Sequence, residues 1–135
     1  MAADAPDPQA GRPAMSDMFE LRRTYRFEAA HFLPNAPEGH RCRRVHGHCY
    51  KIELRVSGEI DEAAGWVIDF ADIDAVADPL RAALDHQLLN DIEGLANPTS
   101  EALARWIWQN VKPRLEGLST VIVRETPRSA CAFRG

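Results

Sequence analysis

The chain has 135 residues, 45% hydrophobic and 27% charged, which is typical of one globular domain. Sixteen basic residues against 20 acidic ones leave a net charge of −4, without the basic excess that general nucleic-acid binding uses. No stretch approaches the roughly 18 to 20 consecutive apolar residues of a membrane span, and the N-terminus lacks a signal-peptide pattern. The three cysteines have no disulfide-framework spacing and are expected to be reduced thiols in a cytoplasmic protein.

The first part of the chain predicts an extension followed by two strands. Residues 1–17 are rich in Ala, Pro, Asp and Gly without an apolar period, so we expect a disordered extension before a domain over 18–135. The alternating segment FELRRTYRFEAAHF predicts a first strand, and HGHCYKIELRVSGEI predicts a second. A loop dense in charge and histidine joins them.

The rest of the chain predicts two helices and two strands. Asp69 is expected to cap a helix whose apolar stripe includes Ile73 and Leu84, and Asn97 or Thr99 is expected to cap a second helix. The β-branched run STVIVRET predicts a third strand, and ACAF a shorter fourth. This order favours an α+β fold, with the helices against one face of an antiparallel sheet.

Three of the five histidines cluster within 18 residues and predict a metal site. In a strand, His46 and His48 point to the same side about 7 Å apart and can share one ion, and His31 on the preceding strand can supply a third nitrogen. Three neutral imidazoles with a vacant fourth position are typical of catalytic zinc. An isolated histidine would be an ordinary surface or core residue, whereas the H-G-H cluster favours metal. His40 is expected to be a solvated loop residue.

Cys42 lies four residues before His46, among Arg41, Arg43 and Arg44. Neighbouring positive charge favours the thiolate, so Cys42 is expected to act as a base; a fourth zinc ligand and a loop bystander are the alternatives. The three arginines either form a solvated loop or neutralise a polyanionic tail of a substrate.

Two other cysteines and three titratable residues are ambiguous on their own. Cys49 alternates away from the histidines and is expected to pack on the opposite face, and Cys131 is expected in the core. Asp85 and His86 form either a proton relay or an exposed pair at a helix end. Glu125 is either a solvated strand-end acid or a carboxylate that binds a ligand edge carrying two donors.

With these residues assembled, the chain resembles the zinc-dependent pterin synthases, in particular the bacterial 6-carboxytetrahydropterin synthases of queuosine biosynthesis. The resemblance is carried by FEAAHFLP, EGHRCRRVHGHCY, GWVIDFADI, LDHQLLNDIEGLANPTSEALARWIW and VRETPRSACAFRG, nearly everything after Met18. The short C-x3-H-G-H spacing favours this subgroup over the related 6-pyruvoyltetrahydropterin synthases.

The resemblance implies a tunnelling fold (T-fold): a four-stranded antiparallel sheet with two helices, assembled as a homo-oligomeric barrel, a tetramer or hexamer, with interfacial active sites. It implies zinc ligands His31, His46 and His48, and a pterin-anchoring Glu125. It also implies a catalytic Cys42 with the Asp85–His86 pair, and further substrate contacts from Thr99, Ser100 and Glu101.

The activity that this resemblance implies is conversion of 7,8-dihydroneopterin triphosphate to 6-carboxy-5,6,7,8-tetrahydropterin, with release of acetaldehyde and triphosphate. Two alternatives stay open. The chain either stops at 6-pyruvoyltetrahydropterin, or it is a non-catalytic zinc- or pterin-binding module in which Cys42 closes the coordination shell. A structural oligomer with incidental histidines is a third possibility.

Overall fold

The computed structural model describes residues 17–135, so most of the predicted N-terminal extension lies outside the described residues. The elements follow the predicted order of two strands, two helices and two strands. They are β1 (Phe19–His31), β2 (His46–Gly58), α1 (Phe70–Leu84), α2 (Ser100–Val111), β3 (Leu118–Thr126) and β4 (Ser129–Phe133). Short 3-10 turns occupy Arg41–Arg43, Leu89–Asp91 and Lys112–Arg114.

The four strands form one antiparallel sheet in the order β1-β2-β3-β4, which confirms the α+β prediction. β1 pairs with β2 along its whole length, from Phe19 opposite Gly58 to His31 opposite His46. β2 pairs with β3 only as far as Lys51 opposite Arg124. Beyond that pair β2 and β3 are no longer in register, so the sheet opens between them at the end that carries the histidines.

The core lies between the two helices and one face of the sheet. Alternate residues of β2, namely Tyr50, Ile52, Leu54 and Val56, are at most 2% exposed because they face the helices. α1 contributes Ile73, Ala77 and Leu84, and α2 contributes Leu103, Ile107 and Val111, at the helical spacing the sequence predicted. The opposite face of the sheet carries mainly polar and charged residues, as expected for an antiparallel sheet covered on one side.

Both helices begin at side-chain caps. The Asp69 carboxylate accepts a hydrogen bond from the Ala71 N–H at 2.9 Å, and Thr99 Oγ1 accepts one from the Ala102 N–H at 3.1 Å. Thr99 is therefore the cap of α2, whereas the Asn97 side chain accepts a bond from the Asn35 N–H. Neither helix of residues 17–135 has the length and apolar character to cross a bilayer.

A hydrogen-bonded cluster of Arg23, Tyr25 and Asp74 joins α1 to β1. Asp74 on α1 accepts two hydrogen bonds from the Arg23 guanidinium, at 2.9 and 2.7 Å, and one from the Tyr25 hydroxyl at 2.6 Å. These donors hold the pKa of the Asp74 carboxyl down at about 2.

Candidate metal and substrate site

The three predicted metal-binding histidines lie together at the open end of the sheet. Antiparallel pairing places His31 opposite His46 and Ala29 opposite His48, and strand alternation turns all three rings to the helix-facing side. One nitrogen from each ring lies within 4.8 Å of the other two. The pairing of β1 with β2 thus brings together side chains that are 15 and 17 residues apart in sequence.

Backbone carbonyls fix the ring nitrogens of two of these histidines. His31 Nδ1 lies 2.8 Å from the Pro98 carbonyl oxygen, and His46 Nδ1 lies 2.8 Å from the Arg44 carbonyl oxygen. A carbonyl only accepts, so each Nδ1 carries the proton and each Nε2 is left with a lone pair. The two Nε2 atoms lie 2.9 Å apart. Two facing lone pairs repel unless a cation lies between them, so this donor set fits a metal ion such as zinc.

Burial prepares two of these rings for metal binding. The pKa of His31 is lowered mainly by burial, against an opposing effect of the Pro98 hydrogen bond. The pKa of His48 is also lowered, again chiefly by burial. Both imidazoles are therefore held in the neutral form that a metal requires.

Cys42 does not join the histidine cluster. It lies in the 3-10 turn Arg41–Arg43, and the Leu33 N–H bonds to its carbonyl at 2.8 Å. Within residues 17–135, the group of ligand atoms that could share one ion contains the three histidines without this thiol. This arrangement argues against the alternative in which Cys42 is a fourth ligand. His40 is exposed, as predicted, and its Nδ1 accepts a bond from the Cys42 N–H.

The predictions for the other two cysteines have mixed outcomes. Cys49 does face away from the histidines, but the expectation that it packs there is wrong, because it is exposed. Both helices cover the other face of the sheet, and neither helix of residues 17–135 covers this one. Cys131 is partly buried against the core, in agreement with the prediction.

Asp85 and His86 form a bonded pair beside β1. His86 Nδ1 lies 3.0 Å from Asp85 Oδ1, the same oxygen that accepts a bond from the Glu28 N–H at 2.9 Å. That backbone bond is the main reason why the pKa of Asp85 is lowered. The His86 backbone has φ 58°, an uncommon conformation outside glycine, and its N–H donates to the Glu28 carbonyl at 2.6 Å. The pair is thus anchored to β1, while the His86 side chain is 75% exposed.

Glu125 lies near the end of β3 on the helix-facing side. One carboxylate oxygen is 3.9 Å from His48 Nε2, so the acid stands beside the metal-binding cluster. Its side chain is 25% exposed, and its negative charge adds to the burial that raises the pKa of Tyr50. A carboxylate in this position is available to a donor-bearing ligand next to the three histidines.

The segment Thr99-Ser100-Glu101 forms the start of α2. Pro98, immediately before it, is the residue whose carbonyl holds His31. Thr99 uses its hydroxyl as the helix cap, and Glu101 is exposed. The residue just before α2 is therefore joined to the histidine cluster through one hydrogen bond.

Two pockets meet at His48. One, of about 530 Å³, has Glu28, His48, Cys49 and His86 in its wall. The second, of about 620 Å³, includes the end of β3 in its wall. It is lined by Gly47, His48, Cys49 and Glu125 together with Arg26, Lys51, Arg124, Thr126 and Pro127. His86 and the candidate pterin anchor Glu125 thus each share a pocket with the same histidine.

Sequence reasoning missed the groups that fix the rings. The carbonyls of Arg44 and Pro98 carry no side-chain signal, so no pattern in the sequence marks them. Tyr50 is buried in the core, and its hydroxyl, which no sequence pattern marked, lies 3.2 Å from His31 Nδ1. The cationic residues in the second pocket were also not singled out.

Comparison with known proteins identifies the family. Residues 20–135 match the profile of the 6-pyruvoyl tetrahydropterin synthase family. A 6-carboxy-5,6,7,8-tetrahydropterin synthase of Synechocystis sp. is 40% identical over 122 residues, covering 86% of this chain and 93% of the relative. One of Bacillus subtilis is 35% identical over 139 residues, covering 94% and 90%.

Comparison of the fold with solved structures leads to the same family. The solved structure of Caenorhabditis elegans 6-pyruvoyl tetrahydropterin synthase superimposes with a TM-score of 0.82 at 25% identity, covering 89% of this chain and 97% of that one. The chain is an enzyme of the T-fold class. It belongs to the 6-pyruvoyl tetrahydropterin synthase family.

Proposed function

We propose that this enzyme is a zinc-dependent carbon–carbon lyase. It converts 7,8-dihydroneopterin triphosphate to 6-carboxy-5,6,7,8-tetrahydropterin, releasing acetaldehyde and triphosphate, as a step of queuosine biosynthesis. The observation that carries the proposal is the cluster of three histidines with Glu125 beside it, in a chain similar to relatives named for this product.

Zinc would be held by His31, His46 and His48. The lone pairs left on His31 and His46, whose other ring nitrogens are bound to carbonyls, fit this ion. When bound, zinc supplies Lewis acidity to oxygens of the substrate side chain. Within residues 17–135 these three histidines are the cluster suited to an ion, and three protein ligands leave a position for substrate.

Proton transfer is assigned to Cys42 and to the Asp85–His86 pair. Asp85 accepts from His86 Nδ1, which leaves Nε2 of that imidazole to give or take a proton at the substrate. His86 lines the same pocket as His48, so a substrate side chain at the histidine cluster would lie within its reach. Cys42, in the turn Arg41–Arg43 just before the histidines of β2, is the second group that we assign to proton transfer.

Glu125 would fix the substrate. Two carboxylate oxygens match the amino group and ring N–H of a pterin, which presents two donors side by side. The Glu125 carboxylate lies 3.9 Å from His48 Nε2, so a ring anchored there would bring the substrate side chain to the three histidines and reduce the entropy lost in the reaction. Thr99, Ser100 and Glu101 at the start of α2 are the further contacts we propose for the pterin.

A homo-oligomer, tetramer or hexamer, would complete the site. His86 is mostly exposed and Cys42 stands outside the histidine cluster, so a neighbouring subunit would close the two pockets at His48. A cytoplasmic location agrees with three cysteines that are free thiols.

The proposal is tested by mass spectrometry of the products from 7,8-dihydroneopterin triphosphate, with zinc-loaded and chelator-treated protein in parallel. Carboxytetrahydropterin and acetaldehyde, lost on zinc removal, are the expected result. Cys42→Ala should keep one zinc per chain and lose turnover, while Cys131→Ala, outside both pockets, should keep both. Loss of zinc in the Cys42 variant would contradict its assignment as a base.

The same assay distinguishes the second candidate function. The similar Caenorhabditis elegans structure is a 6-pyruvoyl tetrahydropterin synthase, so a product that retains all the side-chain carbons is the alternative. A pyruvoyl product would keep the site and change the reaction. Intact substrate would instead indicate a zinc- or pterin-binding module.

A further inference from the structure

Three cations lie side by side across three strands on the uncovered face of the sheet. Arg26 of β1 is opposite Lys51 of β2, and Lys51 is opposite Arg124 of β3. We call these three residues the cationic row. Directly opposite residues on one face of an antiparallel sheet have β-carbons about 5 Å apart, and like charges at that distance destabilise the sheet. A bound anion would offset this repulsion between like charges.

The chain does little to neutralise the row. Within residues 17–135, neither Arg26 nor Lys51 has a carboxylate within 4.0 Å. Arg124 Nη1 is 3.7 Å from Glu53 and has no hydrogen-bond partner, although it is shielded from solvent. Glu53 itself bonds to Arg55 at 2.6 Å. A buried guanidinium nitrogen without a partner is costly, and an acceptor supplied from outside would satisfy it.

The cationic row shares a pocket with the candidate catalytic site. The pocket of about 620 Å³ is lined by all three cations and also by His48 and Glu125, which belong to the other face of the sheet. This is geometrically possible because β2 and β3 separate beyond the Lys51–Arg124 pair. Lys51 lies three residues from His48 along β2, about 10 Å at the rise of a strand.

We propose that the cationic row binds oligophosphate, and that its occupant is the triphosphate of the pterin substrate. This inference rests on the proposed function for the nature of the substrate. With the ring at Glu125 and the side chain at His48, the phosphates extend through the gap between β2 and β3. Arg26, Lys51 and Arg124 then bind the phosphate oxygens, which Arg recognises with two donors at once and Lys as a point charge.

The arginines around Cys42 are a weaker choice for this role. Arg41, Arg43 and Arg44 are exposed, and neither pocket at His48 includes them in its wall. The cationic row, in contrast, lines a pocket that reaches His48. It is also a site that hydropathy patterns do not reveal, because its members are 25 and 73 residues apart.

The test uses inorganic triphosphate as the probe, titrated calorimetrically into the zinc-loaded protein, with zinc content measured before and after. Lys51→Gln and Arg26→Gln should each weaken binding about tenfold or more, as expected for loss of a charged hydrogen-bond donor. Arg22→Gln is the matched control, because it removes the same charge from the same face of β1 but from a residue that pairs with Glu20 at 3.4 Å. The affinity of Arg22→Gln for triphosphate should stay within about twofold of that of the unmodified chain.

A second arm locates the phosphate on the substrate. Lys51→Gln should raise KM for 7,8-dihydroneopterin triphosphate with a smaller effect on kcat, and should leave the affinity for unphosphorylated 7,8-dihydroneopterin unchanged. Equal losses for both pterins would overturn the assignment of the row to the phosphate tail. Absence of triphosphate binding, or an equal loss in Arg22→Gln, would overturn the site itself.

The two arms separate this inference from the proposed function. If the chain does not turn over the pterin but triphosphate binding still depends on Lys51 and Arg26, the oligophosphate site stands and the function fails. If turnover is found and neither variant changes KM or triphosphate affinity, the function stands and the site fails.

Discussion

Replacement of His46 by alanine is the sharpest test of the proposed metal site. His46 Nε2 lies 2.9 Å from His31 Nε2, and its Nδ1 is held by the Arg44 carbonyl, so both nitrogens are committed. Loss of a hydrogen-bonding group behind a zinc ligand commonly costs 10- to 100-fold in metal affinity, so loss of the ligand itself should cost about 100-fold or more. That factor corresponds to about 2.7 kcal/mol.

The same loss should be visible in thermal stability. At a free zinc concentration 100 times the dissociation constant, binding stabilises the folded chain by about 2.7 kcal/mol. At that concentration a variant with 100-fold weaker affinity gains only about 0.4 kcal/mol. His46 is only partly buried, so its removal opens no large core cavity and the zinc-free variant should unfold near the temperature of the zinc-free parent.

The assay is differential scanning calorimetry with and without zinc, together with the zinc content per chain. His40→Ala is the matched control, because His40 is an exposed histidine in the loop before β2 and lies outside the cluster. It should keep the full zinc-dependent shift. Retention of one tightly bound zinc by His46→Ala, or its loss in His40→Ala, would refute the three-histidine site.

Two further predictions concern protons. The pKa values of His31 and His48 are lowered in the folded chain, so the unfolded chain binds more protons as the pH falls below about 6.5. The free energy of unfolding of the zinc-free protein should therefore decrease between pH 7 and 5. A flat profile in denaturant titrations would contradict this prediction. Tyr25→Phe should lower the free energy of unfolding by about 1 kcal/mol at pH 7, because it removes a hydrogen bond to Asp74. The difference between parent and variant should shrink as the pH falls from about 4 toward 2, because the stability given by the depressed pKa of Asp74 is lost when this carboxylate is protonated. Chemical denaturation of both chains across that range is the measurement, and an unchanged difference at pH 2 would contradict the prediction.

The fold and the histidine cluster were predictable because their signals are local. Gly47 spaces His46 and His48 so that strand alternation alone puts both rings on one side, and the apolar stripes of α1 and α2 mark the helix faces. His31 required one long-range assumption, that β1 pairs with β2, as strands consecutive in sequence usually do.

Other parts of the site depend on information that is not local. The orientation of Cys49 follows from alternation, but its exposure depends on where both helices pack. The cationic row depends on the register among three strands, which is fixed by pairings far apart in sequence. The ring-fixing bonds come from backbone carbonyls of Arg44 and Pro98, and every residue type has such a carbonyl.

The anchoring of Asp85 and His86 to β1 also limits how this chain can associate. β1 is an outer strand of the sheet, and an outer strand normally offers its backbone groups to a strand from another chain. Here the carbonyls of Arg26 and Glu28 are already bound by the Arg81 guanidinium and the His86 N–H, and the Ala30 N–H donates to Gln87. Strand addition at this edge is therefore confined to the part of β1 before Arg26, where an incoming strand would meet the Arg81 side chain. Arg81 and the Asp85–His86 pair together would thus set the position at which a strand added to this edge must end.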